Sequence, residues 1–331
     1  MYKCFVNAVD THTEGDPTRF ILSGVKEIKG STMVDKLNYF KDNYDEIRKT
    51  IMQEPRGHID MFGAILTAPT SEDTDFGIIF MDNDGYLNMC GHGIIAAATV
   101  AKKLGLIDIN RERVKVDTPA GIVNADFVPT QGGNFDVMIV SVPSFTYELN
   151  KIIELSNGKK VPIDIGFGGS FFAFANAKDI GIDNDNFTVE EIRNIGMDIK
   201  KAVNNQIKVI HPEMPHINSV DLVEILFEPN TPEVNCKNIL IYGDGQIGRD
   251  PCATGATAKV AVEYSKNKLD INEEYIVEGL INTKYKCKIN SITTVGKYTA
   301  VIPSLIGHAY ITAYHQFVVE NDDPKPEGWL I

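Results

Sequence analysis

Along the chain, apolar and polar positions alternate in short runs that read as strands, and four stretches carry helical spacing instead. Residues 5–10 form a first strand run. A polar turn over 11–19 follows, holding both charges, a Gly and a Pro, before an apolar run resumes at Phe20-Ile21-Leu22. Over residues 32–53, Met33, Leu37, Phe40, Tyr44, Ile47 and Ile51 recur at helical spacing with charged residues between them, a helix for packing. Glu54-Pro55-Arg56-Gly57-His58 stops it, and a strand is expected over 60–66. Residues 114–117 and 122–127 read as a hairpin, 129–134 as a linker, and 137–142 as the start of a second lobe. The glycine-rich run 166–175 reads as one strand with a close backbone approach, since its spacing fits neither a nucleotide fingerprint nor a P-loop. Thr188, with Glu191 three residues on, is the capping box of a helix reaching residue 206. Further strands are expected over 220–227 and 297–319, and 321–331 reads as an exposed tail with one Trp.

The remaining two helical stretches carry the candidate chemistry. Asn88-Met89-Cys90-Gly91-His92-Gly93 leads into a run of strong helix formers, which places a thiol at a helix N-terminus. The first-turn N–H groups there lack intrahelical partners and, with the helix dipole, favour an anion. Such a position lowers a thiol pKa or holds a carboxylate. An inert buried cysteine is the plain alternative for this stretch alone. The pattern, however, occurs twice. Pro251-Cys252-Ala253-Thr254-Gly255 opens a second Ala-, Thr- and Val-rich run about half the chain later. Upstream of each cysteine the same order appears: an apolar run ending in an aromatic (Phe80, Tyr242), an acid (Asp82, Asp244) and a short polar residue (Asn88, Asp250). Two lobes, each carrying strand, turn, Cys and helix, account for this echo.

Composition narrows the possibilities. The chain has 331 residues, 43% apolar, enough for two domains with their own cores. With 45 acidic against 32 basic residues the net charge is −13, and no basic cluster interrupts it. Nucleic acid and anionic membrane are therefore not expected partners. Five cysteines without framework spacing, no signal-peptide pattern and no long apolar run point to reduced thiols in the cytoplasm. Cys90 and His92 lack the companions of a metal site, so no metal is expected. His58 reads as a structural hydrogen-bonding residue or a catalytic one, and Phe62 as a wall of a cleft.

Two sulfurs on opposite sides of a bound amino acid suit stereoinversion. One, as thiolate, removes the α-hydrogen, and the other, as thiol, returns a proton to the opposite face. Helix N-terminal amides hold the charge that spreads onto the substrate carboxylate. Residues 11–19, 54–64, 89–93 and 251–255, with Gly168-Gly169-Ser170-Phe171-Phe172-Ala173 and His211-Pro212-Glu213, resemble the motif blocks of the proline racemase family, which includes 4-hydroxyproline epimerases and trans-3-hydroxyproline dehydratases. The resemblance implies a diaminopimelate-epimerase-like α/β (α+β) fold. Two pseudo-symmetric lobes would each wrap a curved, largely antiparallel sheet around a central helix. The first would hold residues 1–131 with 308–331, the second 132–307. It further implies a site between the lobes, no cofactor or metal, and a homodimer. By the family pattern Cys90 and Cys252 are the bases, the amides at Gly91-His92 and Ala253-Thr254 meet the substrate carboxylate, and Phe62 and Tyr242 line the ring pocket. Cys252, where the dehydratases carry Thr, points to a racemase or epimerase of proline or a polar relative.

The departures gather at the second cysteine. The Asp that takes the substrate ammonium in the family is Gly248 here, and an acid stands instead at Asp250; the ring-pocket Phe is Tyr242, and a small residue late in the chain is His308. Two other readings stay open: a lyase or isomerase on the same fold acting on another small acid, and a non-catalytic ligand-binding or redox protein in which Cys90 and Cys252 pair.

Overall fold

A computed structural model describes residues 2–331 except 185 and 230. In chain order the elements are β1 (Tyr2–Thr13), β2 (Asp16–Ser23), α1 (Met33–Met52), β3 (Gly63–Thr67), β4 (Phe76–Met81), β5 (Tyr86–Leu87), α2 (Gly91–Lys103), β6 (Arg113–Thr118), β7 (Gly121–Pro129) and β8 (Phe135–Val140). They continue with β9 (Ser144–Glu154), β10 (Lys160–Phe167), β11 (Phe171–Asn176), α3 (Ala177–Ile180), α4 (Val189–Gln206), β12 (Val220–Phe227), β13 (Cys236–Tyr242) and β14 (Gln246–Ile247). The last are α5 (Ala253–Ser265), β15 (Glu274–Glu278), β16 (Lys284–Val295), β17 (Tyr298–Gly307) and β18 (Ala309–Glu320). The chain divides into two compact units, one running to Ile139 and regaining His308–Ile331, the other Val140–Gly307.

In the first unit the strands lie in the order β18–β1–β2–β3–β4–β6–β7, with β5 folded back on β4. Only β2–β3 and β4–β6 run parallel. Those two steps are the ones crossed by helices, α1 and α2, because parallel neighbours cannot be joined by a tight turn. Helix α1 is capped at both ends of its first turn by a Thr32–Asp35 capping box, worth about 1 kcal/mol. It buries Met33, Phe40, Ile47 and Ile51 in a core with Val6, Ile21, Ile65 and Ile79. Helix α2 is buried on every side from Gly91 to Ala101, as its apolar and small residues permit, and it packs on β1, β2, β3, β7 and β18.

The second unit repeats that order. β9–β10–β11–β12–β13–β15–β16 alternates in the same sense, with parallel steps at β11–β12 and β13–β15 crossed by α4 and α5. Here β17 pairs with both β16 and β9, so the strands close into a ring around α5. Residues Ala253–Glu263 of α5 are all buried. The two charged ones, Lys259 and Glu263, pair at 2.6 Å, which offsets the cost of burying either charge alone.

The α/β, mostly antiparallel reading holds, and several local expectations change. The polar turn over 11–19 is only Glu14-Gly15, because Thr11, His12 and Thr13 pair across to Thr18, Pro17 and Asp16 and continue the ladder. The strand expected from residue 60 begins at Gly63. The run 166–175 is a hairpin of β10 and β11, not one strand. Its close approach is real: a β-carbon on Gly168 would stand 2.4 Å from the Thr254 carbonyl oxygen. The proposed linker is a tight turn in which the Thr130 N–H reaches the Asn134 carbonyl. Phe135 thereby returns edge-on to Phe127, and the chain leaves the first unit after Ile139 rather than after Gln131. The exposed tail is strapped down: Glu54 and Trp329 exchange backbone hydrogen bonds at 3.1 and 3.0 Å, and Lys49 pairs with Glu327.

Candidate active site

Each cysteine singled out from the sequence is the N-cap of the buried helix in its unit. Cys90 caps α2 in extended conformation, 6% exposed, and its Sγ accepts from the Gly93 N–H at 3.4 Å. Cys252 caps α5 from a positive-φ backbone instead, 5% exposed, with its Sγ likewise accepting from the Gly255 N–H at 3.4 Å. The third helical residue must be glycine in both. A β-carbon on Gly93 would lie 2.5 Å from the Phe80 ring, and one on Gly255 only 1.6 Å from Glu224 Oε1. Gly91 and His92, like Ala253 and Thr254, thus supply first-turn amides that point off a helix end beside a sulfur.

The surroundings of the two thiols differ. Cys90 Sγ lies 3.3 Å from His92 Nδ1. His92 packs edge-on against Phe62 with centroids 4.7 Å apart, and its carbonyl accepts from Thr13 Oγ1. Burial pushes its imidazole down to about 3, so it is neutral at physiological pH and meets the sulfur as a neutral donor or acceptor according to tautomer. Phe62 is held by its own carbonyl, which accepts from Arg19 N–H. Arg19 is clamped in turn by two bonds to Asp10 and by the carbonyls of Ile51 and Arg56.

At the second thiol the backbone is strained: Cys252 has φ +56°, unusual for a residue with a β-carbon. Three buried side chains hold this turn. Asp250 Oδ1 accepts from Cys252 N–H at 3.0 Å, Tyr285 Oη donates to Asp250 Oδ2 at 2.7 Å, and Asn238 Nδ2 donates to the Pro251 carbonyl at 2.9 Å. Thr254 Oγ1 stands 3.7 Å from the sulfur. The helix end was expected to lower the thiol pKa. Instead burial pushes the Cys252 thiol up, and the carboxyls of Glu224 and Asp250 push it further, against the smaller help of Gly255 and Thr254. A dry thiol between two acids keeps its proton.

Helix α1, read from the sequence as packing, and helix α4 position the hairpin that precedes each cysteine. From α1, Arg48 Nη1 donates to the carbonyls of Asp82 and Asn83, and Asn83 Nδ2 reaches back to His58 and Ile59. From α4, Arg193 donates to the Gly245 carbonyl and Lys200 to that of Gly243. His58 is exposed and serves here through its carbonyl. Of the echoed acids, Asp82 builds its turn by accepting from Asp84 and Gly85 N–H, whereas Asp244 is exposed at the tip of its own. Tyr242 is buried at the end of β13, pairing with Gln246 as Met81 pairs with Tyr86 in the first unit.

The sequence profile of the proline racemase family matches residues 8–330. The chain belongs to the proline racemase family. A proline racemase of Acetoanaerobium sticklandii is 43% identical over 98% of both chains. A trans-3-hydroxy-L-proline dehydratase of Bacillus thuringiensis subsp. konkukian is 36% identical over 98% of this chain and 97% of its own. A hydroxyproline epimerase from Agrobacterium vitis, crystallised with trans-4-hydroxy-L-proline, superposes with a TM-score of 0.91 at 25% identity, over 100% of this chain and 96% of that one.

Within this proline racemase fold, three residues that build the site escaped the sequence reading: Glu224, Asn238 and Tyr285. Glu224 and Asn238 carried a weak signal, each a polar residue inside an apolar strand run. Tyr285 carried none, since a Tyr in a strand is ordinary. Gly248, where the resemblance led to the expectation of an Asp, directs its missing side chain at Leu240, whose Cβ would be 3.1 Å from an added β-carbon.

Proposed function

We propose that this protein is a cofactor-independent racemase or epimerase of proline or a polar relative, with Cys90 and Cys252 as its two acid–base groups. The single observation that supports this most is the repeated N-cap: two buried cysteines, each receiving a third-residue amide on Sγ, each preceded by a pinned hairpin. In the forward sense the Cys90 thiolate takes the α-proton. The C–H electron pair moves into the substrate carboxylate, and the first-turn amides of the helices stabilise it. Cys252, which holds its proton, gives it to the other face: its S–H bond breaks as the new C–H bond forms. The reverse sense exchanges the roles. A neutral His92 supports Cys90 in either state without adding charge.

Asp250 is the acid proposed to meet the substrate ammonium in place of the residue missing at Gly248. It is fully buried, so it does not point to solvent. Its charge is already oriented by Tyr285 and by the Cys252 amide. In this reading the enzyme acts in the cytoplasm as a homodimer, an oligomeric state that sedimentation would check.

The test is deuterium uptake at Cα in heavy water over a panel of D- and L-amino and imino acids, for the native chain and for Cys90→Ser and Cys252→Ser. The native chain should label proline or a hydroxylated relative with inversion, and each Ser variant should lose inversion while keeping its circular dichroism. Inversion persisting in either variant would end the two-thiol assignment. Water loss from a hydroxyproline in place of inversion would favour a lyase. Alkylation that no candidate substrate slows would favour the non-catalytic thiol reading.

A further inference from the structure

Glu224 lies on β12 beneath the N-terminus of α5 and is fully buried. Its Oε2 accepts from Asn238 Nδ2 at 2.7 Å, the same nitrogen that holds the Pro251 carbonyl. Its Oε1 completes no hydrogen bond of full geometry with a described residue. That oxygen occupies the space a side chain on Gly255 would need, 1.6 Å from the β-carbon position. Gly255 also donates its N–H to Cys252 Sγ at 3.4 Å, so this oxygen and the sulfur stand against the same residue. One carboxyl oxygen is therefore committed to Asn238, and the other is left to act on Cys252.

We propose that Glu224 is a positioning residue for Cys252: a carboxylic acid kept neutral, whose Oε1–H donates to Sγ whenever Cys252 is a thiolate. No proton leaves Glu224 in the cycle. When Cys252 gives its proton to the substrate, the O–H turned to the sulfur compensates the new negative charge. If Glu224 ionises, the donor is replaced by a like charge and Cys252 holds its proton more tightly. The claim rests on Cys252 being a reacting thiol, as proposed above.

The groups that bear on the pair come from four elements. Burial pushes Glu224 up to about 8, opposed by Asn238, by the Lys259 charge on α5 and by Cys252. Lys259 is itself paired with Glu263. On the preceding turn Asp250 acts on Cys252, and on β16 Tyr285 holds Asp250. Cys236 on β13 and Cys287 on β16 are both pushed up chiefly by burial, with Glu224 adding to each. Lys259 is thus the one cation in this set, and it favours the ionised carboxyl; burial outweighs it.

The experiment reads the thiol without turnover. In a Cys90→Ser background, Cys252 is alkylated with iodoacetamide across neutral to alkaline pH, and its peptide is quantified by mass spectrometry. Glu224→Gln cannot ionise and retains an amide donor, so the alkylation midpoint should fall by about one pH unit or more, a roughly tenfold faster reaction below the midpoint. Glu224→Leu, lacking donor and charge, should lie between Gln and the parent. An unchanged midpoint in Glu224→Gln overturns the proposal. If neither variant folds, infrared spectroscopy of the native protein decides. A buried neutral carboxyl band at neutral pH that shifts on alkylation of Cys252 supports it, and absence of that band overturns it. Racemisation without the midpoint shift defeats the Glu224 claim alone, whereas the shift without racemisation defeats the catalytic reading alone.

Discussion

Replacing Asp250 separates the two things this carboxylate does. In Asp250→Ala, two buried donors lose their acceptor: the Cys252 N–H at 3.0 Å and the Tyr285 hydroxyl at 2.7 Å. Each orphaned buried donor costs about 1–3 kcal/mol. Part returns as Cys252 relaxes from φ +56°, a strain of order 1–3 kcal/mol. The net loss should be roughly 2–4 kcal/mol, a fall in Tm of about 5–15 °C for a unit of this size. Calorimetry is the assay, since a chain of two units need not unfold in one step, and only a transition involving residues 140–307 should move. Asp250→Asn keeps an oxygen for the Cys252 amide, and the Tyr285 hydroxyl can turn to accept, so its stability should stay within about 1 kcal/mol. Its kcat/KM should nevertheless drop about 30- to 100-fold, the worth of a charge-assisted bond to an ammonium. If Asp250→Ala melts with the native protein, the turn-holding account is wrong. If Asp250→Asn turns over substrate as the native chain does, the ammonium assignment is wrong.

Other outcomes follow from the same geometry. Glu224 has a folded pKa of about 8 against 4.5 as the ordinary value. A raised acid binds more protons in the folded state, so its contribution is complete below about pH 4.5 and is lost as pH climbs to about 8, by up to about 5 kcal/mol. Glu224→Gln should flatten that part of the stability–pH curve in denaturant titrations, and an identical curve would contradict it. Arg19→Lys cannot bridge Asp10 with two bonds and also reach the Ile51 and Arg56 carbonyls; a loss of about 2–4 kcal/mol in urea unfolding is expected. Gly93→Ala drives a methyl to 2.5 Å from the Phe80 ring; it should cost about 1–3 kcal/mol and lower kcat, a clash that Phe80→Leu should partly relieve. Because His92 is neutral down to about pH 3, the acid limb of the rate profile should be unchanged in His92→Gln.

How much of this was legible beforehand depends on the range of the interaction. Helix α1 and its Thr32 cap, α4 and its Thr188 cap, and both cysteine N-caps are written in contiguous residues, because capping and helical periodicity act over one or two turns. The repeated order of aromatic, turn, cysteine and helix is also local, and it foretold the matching hairpins at Phe80 and Tyr242. The strand that replaces most of the polar turn at 11–19 was not legible, since cross-strand pairing, not composition, extends β1 to Thr13. Nor was the raised Cys252 thiol: the helix end argues for a low pKa, and only the fold brings Glu224 from β12 to the sulfur and Asp250 under Tyr285 from β16. Sequence by itself determined which residues cap and which face inward. The tertiary structure alone decided which buried charges meet a given thiol, because burial and Coulomb forces depend on separation in space and the groups involved stand up to 35 residues apart along the chain.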